Sequence, residues 1–263
     1  MTRESRPEPT AYAADHGPVG VLLIHGYTGS AAETCPMGEY LAARGLTVRC
    51  PLLPGHGTTP GDLESVHWQD WADEVETSLA ELRAHTRKQF VGGLSLGSLL
   101  TLWLASRHPD ISGLIAMAPA VKLANRLMPL TVAARHVFKR YPLGAMEDDL
   151  VDPEGTARQW SYDELPLWGA GEVYLLQRIV VRALPGIRQP ILIFQGRRDV
   201  HCAPDSAQIL HDRIGSTDKR IVWLETSGHN LLVDAQRHFV WEESYRWIVE
   251  RAGLPLGEET GEQ

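Results

Sequence analysis

The stretch Val91-Gly92-Gly93-Leu94-Ser95-Leu96-Gly97 decides the fold of this chain. The residues before Ser95 are apolar, as in a short buried strand, and residues 96–108 have the nearly all-apolar pattern of a buried helix. A serine between glycines at a strand-to-helix junction is typical of a sharp turn that exposes the hydroxyl group beside the free N–H groups of the helix N-terminus. An ordinary Gly-Ser turn, in a chain with 24 glycines, is the weaker interpretation because this motif lies between a strand and a helix.

The composition is that of a globular protein with one large domain. The 263 residues are 43% hydrophobic and 22% charged, which allows a sizeable core. The net charge of −8 argues against a nucleic-acid partner and against binding to an anionic membrane surface. Three widely spaced cysteines form no C-x-x-C pair and indicate reduced thiols rather than disulfides or a zinc site. With no apolar signal-peptide region and no apolar run of membrane-spanning length, we expect a cytoplasmic protein without stable membrane insertion.

Strand and helix patterns alternate along most of the chain. Apolar strand patterns occupy residues 19–24, 46–50, 90–92, 111–118, 190–195 and 220–224, with a short edge strand near 11–14. Helical patterns follow at 34–44, 68–85, 96–108 and 205–214, where Asp205 or Ser206 is the expected cap, and a last helix contains Trp241 and Ile248. This order predicts an α/β protein with a doubly wound, mostly parallel sheet, whose ligands bind at the carboxyl ends of the strands.

The alternation breaks between residues 121 and 187. This segment suggests only helices, at 131–140 and 171–184, and it includes an acidic patch, Glu147-Asp148-Asp149. We therefore expect a helical cap at 121–187 inserted into a core of residues 1–120 and 188–263. The alternative, two crossover helices with long loops, is weaker because long structureless stretches are uncommon in compact domains.

Three residues after strand ends form a candidate catalytic triad. The Ser95 hydroxyl is a poor nucleophile without a base, and His229, just after the final strand, supplies one whose ordinary pKa is near neutral. Asp199, after the preceding strand, is the expected orienting acid, which gives the chain order Ser, Asp, His. His201 and Cys202, next to Asp199, lack metal-ligand spacing and are interpreted as lining or packing residues, so no metal is expected.

Two backbone N–H groups are expected to bind the oxyanion that forms during attack. One is the N–H of Leu96, immediately after the nucleophile, and the other is the N–H of Tyr27, in the loop after the first buried strand. The Tyr27 ring is then expected to line an acyl pocket.

The motifs together resemble the α/β-hydrolase superfamily, and more narrowly the bacterial monoacylglycerol lipases and small thermostable carboxylesterases. The resemblance covers residues 19–251 and rests on His25-Gly26-Tyr27-Thr28-Gly29, Pro54-Gly55-His56-Gly57, Gly92-Gly93-Leu94-Ser95-Leu96-Gly97 and the loops of Asp199 and His229. This chain has Leu96 and Ser98-Leu99 where members often have Met and two small residues, which leaves the backbone donor unchanged. The resemblance implies that Asp163 meets the glycerol hydroxyl groups of a substrate, and an acidic surface loop is the alternative.

The expected function is hydrolysis of short- to medium-chain carboxylic esters through an acyl-enzyme intermediate, without a cofactor. The substrate is then a small-molecule ester. Other chemistries of the same triad remain open, namely carbon–carbon bond hydrolysis, lactonase, amidase or perhydrolase activity. A ligand-binding protein without catalysis is a further alternative, which the intact Ser, Asp and His disfavour.

Overall fold

The structure, a computed structural model, describes residues 7–142 and 149–255, and a seven-stranded sheet forms its centre. The strands are β1 (Tyr12–Ala14), β2 (Val19–Ile24), β3 (Thr47–Cys50), β4 (Lys88–Leu94), β5 (Gly113–Met117), β8 (Ile191–Gly196) and β9 (Lys219–Leu224). Their order is β1-β3-β2-β4-β5-β8-β9, and all neighbours are parallel except β1 with β3. The predicted doubly wound, mostly parallel sheet is confirmed, including its short edge strand.

Helices of the core cover the sheet as the periodicity predicts. They are α1 (Cys35–Ala42), α2 (Trp68–His85), α3 (Leu96–Arg107), α7 (Ser206–Arg213) and α8 (Arg237–Ala252). Helix α6 (Leu167–Ala183) packs against α2 and α3 instead. Helix α2 begins and ends at the predicted residues because its apolar face repeats every three to four residues over its whole length.

Two hydrophobic cores lie on opposite faces of the sheet. Successive side chains of a strand point to opposite faces, so Leu22 of β2 packs with α2 and α3, whereas Leu23 packs with α1 and α8. Both side chains are completely buried. This two-sided burial explains why the sequence of β2 is a continuous apolar run. The ends of these buried strands position the residues of the site.

The prediction that the side chain of Asp205 or Ser206 caps α7 is wrong. Asp205 occupies the N-cap position, but its side chain makes no capping hydrogen bond and instead accepts a hydrogen bond from Lys122 Nζ at 2.6 Å. The Ser206 hydroxyl donates to the carbonyl of Pro119 at 2.6 Å. Both side chains thus connect α7 to the loop after β5, a long-range contact that takes precedence over local capping.

The expectation that residues 121–187 contain only helices is also wrong. Beside α4 (Met128–Ala134) and α5 (Gly155–Arg158), this segment has an antiparallel pair of strands, β6 (Arg140–Pro142) and β7 (Glu164–Pro166). Three-residue strands are too short to show an alternating pattern, which is why the sequence does not indicate them. The predicted helix at 131–140 begins and ends earlier, and α6 begins four residues before the predicted start at 171. Glu147 and Asp148 of the acidic patch lie outside the described residues.

Buried polar contacts attach this segment to the helices of the core. Glu172 of α6, only 2% exposed, forms an ion pair with Arg135 at 2.6 Å and accepts the backbone N–H of Trp68 at 3.1 Å. The same helix buries Val173 and Leu176 in the cluster that includes α2 and α3. In the part of the chain that the structure describes, no helix is both long and apolar enough to cross a bilayer.

Candidate active site

Ser95 stands at a strained turn between β4 and α3. Its backbone has φ 56° and ψ −109°, and φ in this positive range is unfavourable for a residue with a Cβ atom. The carbonyl of Ser95 accepts the hydroxyl of Ser98 at 2.6 Å, which helps hold the turn. The side chain is half-buried and lies where the helix presents its free N–H groups.

The glycines around Ser95 are required by close backbone contacts. A Cβ atom on Gly93 would lie 2.2 Å from the carbonyl oxygen of Gly97, and one on Gly97 would lie 2.0 Å from that of Ile24. Neither distance is possible without moving backbone. The spacing of the motif therefore follows from how tightly α3 approaches β2 and β4.

Replacing Gly97 with alanine is expected to destabilise the protein by about 3 kcal/mol or more, because the added methyl group overlaps the backbone of β2. For a chain of this size such a loss lowers the melting temperature by roughly 10 °C. Gly186→Ala is the matched control, since a Cβ atom there meets nothing within 4 Å. Thermal denaturation of both variants checks this; a Gly97→Ala protein that melts with the control would contradict it.

Backbone strain collects at one edge of the sheet. Among residues 7–142 and 149–255, the non-glycine residues with positive φ are Thr28 (66°), Ser95 (56°) and Ala118 (44°). They follow the ends of β2, β4 and β5, which are neighbours in the sheet. Such strain persists only where the surrounding structure holds it, and it is concentrated at functional sites.

The loop after β2 lies against Ser95 and is held by His25. A Cβ atom on Gly26 would lie 3.6 Å from the Ser95 Cβ atom. His25 Nε2 accepts the backbone N–H of Leu53 at 3.0 Å, so Nδ1 carries the proton and donates to the carbonyl of Gly26 at 2.8 Å. Burial lowers the pKa of His25 to about 4, so the ring stays neutral and keeps both bonds at neutral pH.

Both expected oxyanion donors belong to segments that border Ser95. Leu96 is the first residue of α3, where N–H groups lack a partner within the helix, and Tyr27 directly follows Gly26. The Tyr27 hydroxyl donates to the carbonyl of Pro166 at 2.5 Å and so connects this loop to the start of α6. That its ring lines an acyl pocket stays a prediction.

Asp199 and His229 form a hydrogen-bonded pair after β8 and β9. His229 Nδ1 lies 3.0 Å from Asp199 Oδ2, and the Asp199 side chain is 1% exposed. Asp199 also accepts the backbone N–H groups of His201 and Cys202, at 2.8 and 2.9 Å, and the Gln195 amide at 2.7 Å. Nδ1 is therefore the donor to Asp199, which leaves the Nε2 lone pair of His229 available as a base.

The electrostatics of this pair favour a carboxylate beside an imidazole that readily accepts a proton. Burial alone would raise the pKa of Asp199, but the facing His229 and the N–H donors lower it to about 2. Burial alone would lower the pKa of His229, but the charge of Asp199 raises it well above 6.5. This is the arrangement expected of a general base and its orienting acid.

The register of the sheet brings the three predicted residues to one edge. Leu94 pairs with Met117 and Met117 with Phe194, so β4, β5 and β8 end together. Gly196 pairs with Leu224 at the ends of β8 and β9. Ser95, Asp199 and His229 all follow these ends.

Two carboxylates that the sequence analysis did not single out support the loops of Asp199 and His229. Asp149 Oδ2 accepts the backbone N–H of both His229, at 2.9 Å, and Val200, at 3.1 Å. Asp234, completely buried, accepts the N–H of Gly228 at 2.7 Å. Asp149 belongs to the acidic patch noted in the sequence, but nothing in its spacing indicates these contacts.

The residues beside Asp199 make contacts within the protein that explain their positions. Ligand atoms of Asp199, Cys202 and His229 lie within 4.8 Å of one another, a grouping that could in principle hold a metal ion. Burial raises the pKa of Cys202 to about 11, and its thiol donates to the carbonyl of Ala118 at 3.4 Å. We therefore assign the group to the Asp199–His229 pair.

Asp163 is an exposed residue directly before β7. Its neighbour Tyr162 is buried, and the Tyr162 hydroxyl donates to the carbonyl of Gly55 at 2.7 Å. Tyr162 thus anchors this part of the cap segment to the core, and contact between Asp163 and a substrate stays a prediction.

Comparisons with known proteins point to one group of enzymes. A family model described as serine aminopeptidase, S33, matches residues 19–236. A thermostable monoacylglycerol lipase of Bacillus sp. (strain H-257) is 34% identical over 92% of this chain and 95% of its own length. A carboxylesterase of Bacillus subtilis (strain 168) is 25% identical over 91% of this chain and 96% of its own.

A solved structure from work on LipS and LipT, two metagenome-derived lipolytic enzymes, has the same architecture. It superposes with a TM-score of 0.88 at 26% identity and covers 93% of this chain and 99% of its own. The chain belongs to the serine aminopeptidase S33 family and has the α/β-hydrolase fold.

Proposed function

We propose that Ser95, His229 and Asp199 are the catalytic triad of this enzyme, a serine hydrolase of carboxylic esters. The observation that carries the assignment is the joint position of the strained Ser95 turn and the buried Asp199–His229 pair at one edge of the sheet. The loop that carries Tyr27 and the start of α3 at Leu96 border the same serine and would supply the oxyanion donors.

The reaction follows from these positions. His229 Nε2 removes the proton of the Ser95 hydroxyl as its oxygen attacks the ester carbonyl, and the backbone N–H groups of Tyr27 and Leu96 stabilise the oxyanion. The imidazolium, held by Asp199, returns the proton to the leaving alcohol, which leaves an acyl-enzyme. Water, activated by His229, then releases the acid and restores Ser95.

We also propose that residues 121–187 form a cap over a core of residues 1–120 and 188–263. The buried contacts of Glu172 and Tyr162 with that core would hold the cap above the serine. The cap would then receive a short- or medium-length acyl chain, and Asp163 would meet the alcohol hydroxyl groups if the substrate is a monoacylglycerol, as in the name of one relative. The free thiols of Cys35, Cys50 and Cys202 agree with a cytoplasmic enzyme.

A substrate series tests the proposed specificity. We expect hydrolysis of p-nitrophenyl esters to be fastest at acyl chains of about four to ten carbons and to fall for longer chains, because the cap limits the acyl site. A monoacylglycerol of matched acyl length is assayed beside these esters. The Asp163→Asn variant tests the alcohol site, and we expect it to lose the preference for the monoacylglycerol while its rates on the p-nitrophenyl esters stay unchanged. Equal rates on all chain lengths, or faster cleavage of matched amides, would contradict the proposal.

A further inference from the structure

A buried carboxyl group, Glu33, lies between the two loops that carry the proposed base and an oxyanion donor. It ends the short turn Ala31–Glu33 before α1, and the residue is only 3% exposed. Its Oε1 atom accepts the side-chain amide of Asn230, the residue after His229, at 2.9 Å. The backbone N–H of Gly26, the residue before Tyr27, lies near enough to this carboxyl to favour its ionised form and lower its pKa.

The surrounding backbone is shaped to admit this carboxyl. A Cβ atom on Gly29 would lie 2.3 Å from Glu33 Oε2, so the oxyanion loop runs directly over it. The Asn230 side chain comes from a position 197 residues away and is itself buried. Glu33 therefore touches both loops at once, which few side chains behind the site could do.

Burial sets the charge of this group. It raises the pKa of Glu33 to about 8, against the opposing effects of His229, Asn230 and the Gly26 N–H. The titratable group whose charge acts on Glu33 is His229, from the loop after β9, and the Nδ1 atom of His229 is bonded to Asp199. At neutral pH the carboxyl is thus mostly protonated, and it joins the loops without a full negative charge next to the oxyanion site.

We propose that Glu33 is a positioning residue that, in its protonated form, joins the oxyanion loop to the loop of His229 and, when ionised, disfavours the oxyanion. The inference rests on the proposed roles of Tyr27 and His229. The hydrogen bond to Asn230 and the close contact with the loop at Gly29 fix the separation of base and donors, which sets how well both meet the transition state.

The test compares Glu33→Gln with Glu33→Ala through pH profiles of kcat and KM on one p-nitrophenyl ester. The glutamine keeps the shape and a hydrogen-bonding group but cannot ionise, so kcat near neutral pH is expected to stay within about threefold of the wild type. In the wild type the carboxyl ionises at about pH 8 and places a negative charge beside the oxyanion donors, so kcat should fall there, and this fall should be absent in the glutamine variant. The alanine removes the connection, and kcat should fall about tenfold or more with little change in KM.

Glu39→Gln is the matched control, because this glutamate is exposed on α1 a few residues away. It should leave both kcat and the pH profile unchanged. The decisive readout is the profile of Glu33→Gln: a fall of kcat at about pH 8 that matches the wild type, or a wild type without such a fall, would overturn the proposal, whether or not the alanine variant folds. A Glu33→Ala protein with wild-type kcat would also overturn it.

A Ser95→Ala variant separates this inference from the proposed function. If Ser95→Ala keeps its activity, the triad assignment fails, and the role of Glu33, which rests on that assignment, fails with it. If Ser95→Ala is inactive and the Glu33 variants behave as the wild type, only the role of Glu33 is refuted.

Discussion

Replacing Ser95 with alanine is expected to lower kcat for a p-nitrophenyl ester by about 10⁶-fold, because the variant has no oxygen to form the acyl-enzyme. The rate that remains comes from substrate binding and the oxyanion donors, which the substitution leaves in place. Alanine adopts the same backbone at the same cost as serine, so the melting temperature should stay within a few degrees of the wild-type value. Steady-state kinetics and thermal denaturation measure the two effects separately.

Ser106→Ala is the matched control on the same helix. Ser106 is exposed, and its hydroxyl donates only to the carbonyl of Trp103, one turn earlier, at 2.7 Å. Its removal should leave kcat unchanged. A Ser95→Ala protein that folds and retains most of the wild-type kcat would show that Ser95 is not the nucleophile.

Replacing Asp199 with asparagine is expected to lower kcat by about 10⁴-fold, because an amide can donate a hydrogen bond to His229 Nδ1 and so select the wrong tautomer of the ring. The charge of Asp199 raises the pKa of His229, so removing it lowers that pKa. His229 must be neutral to act as the base. The acidic limb of kcat/KM, measured on the residual activity, should therefore move to lower pH in the variant.

Asp205→Asn provides the comparison for this loop. Asp205 is six residues further along and forms an exposed ion pair with Lys122. Exposed pairs contribute about 1 kcal/mol or less, so neither kcat nor the pH profile should change measurably. An Asp199→Asn enzyme with an acidic limb at the wild-type pH would contradict the assigned orientation of His229.

The core of the fold could be predicted because its signals are local and periodic. Val19–Ile24 is buried on both faces and reads as an unbroken apolar run, and Trp68–His85 has one apolar face along its whole length. Strands β6 and β7 have three residues each and form by pairing with each other, so the sequence of either strand alone does not indicate them. Asp205 shows a similar limit of local prediction, since its residue type favours helix capping but its side chain pairs with Lys122 instead.

The positions of Ser95, Asp199 and His229 could be predicted because each follows a recognisable strand. The residues that support them could not, since their contacts join distant parts of the chain. Glu33 meets Asn230 across 197 residues, and Asp149 meets His229 across 80. A buried carboxyl such as Glu33 has no local pattern that separates it from an exposed one at the start of a helix.

The central claim is that Ser95 is a nucleophile activated by His229 and Asp199. Reaction with a fluorophosphonate probe, followed by mass spectrometry of the digested protein, tests it most directly, because such probes react with activated serines. We predict one adduct, on Ser95, that forms in the wild-type protein, is lost in Ser95→Ala and forms far more slowly in Asp199→Asn. A wild-type protein that stays unlabelled under these conditions, or that carries the adduct on another serine, would contradict the account.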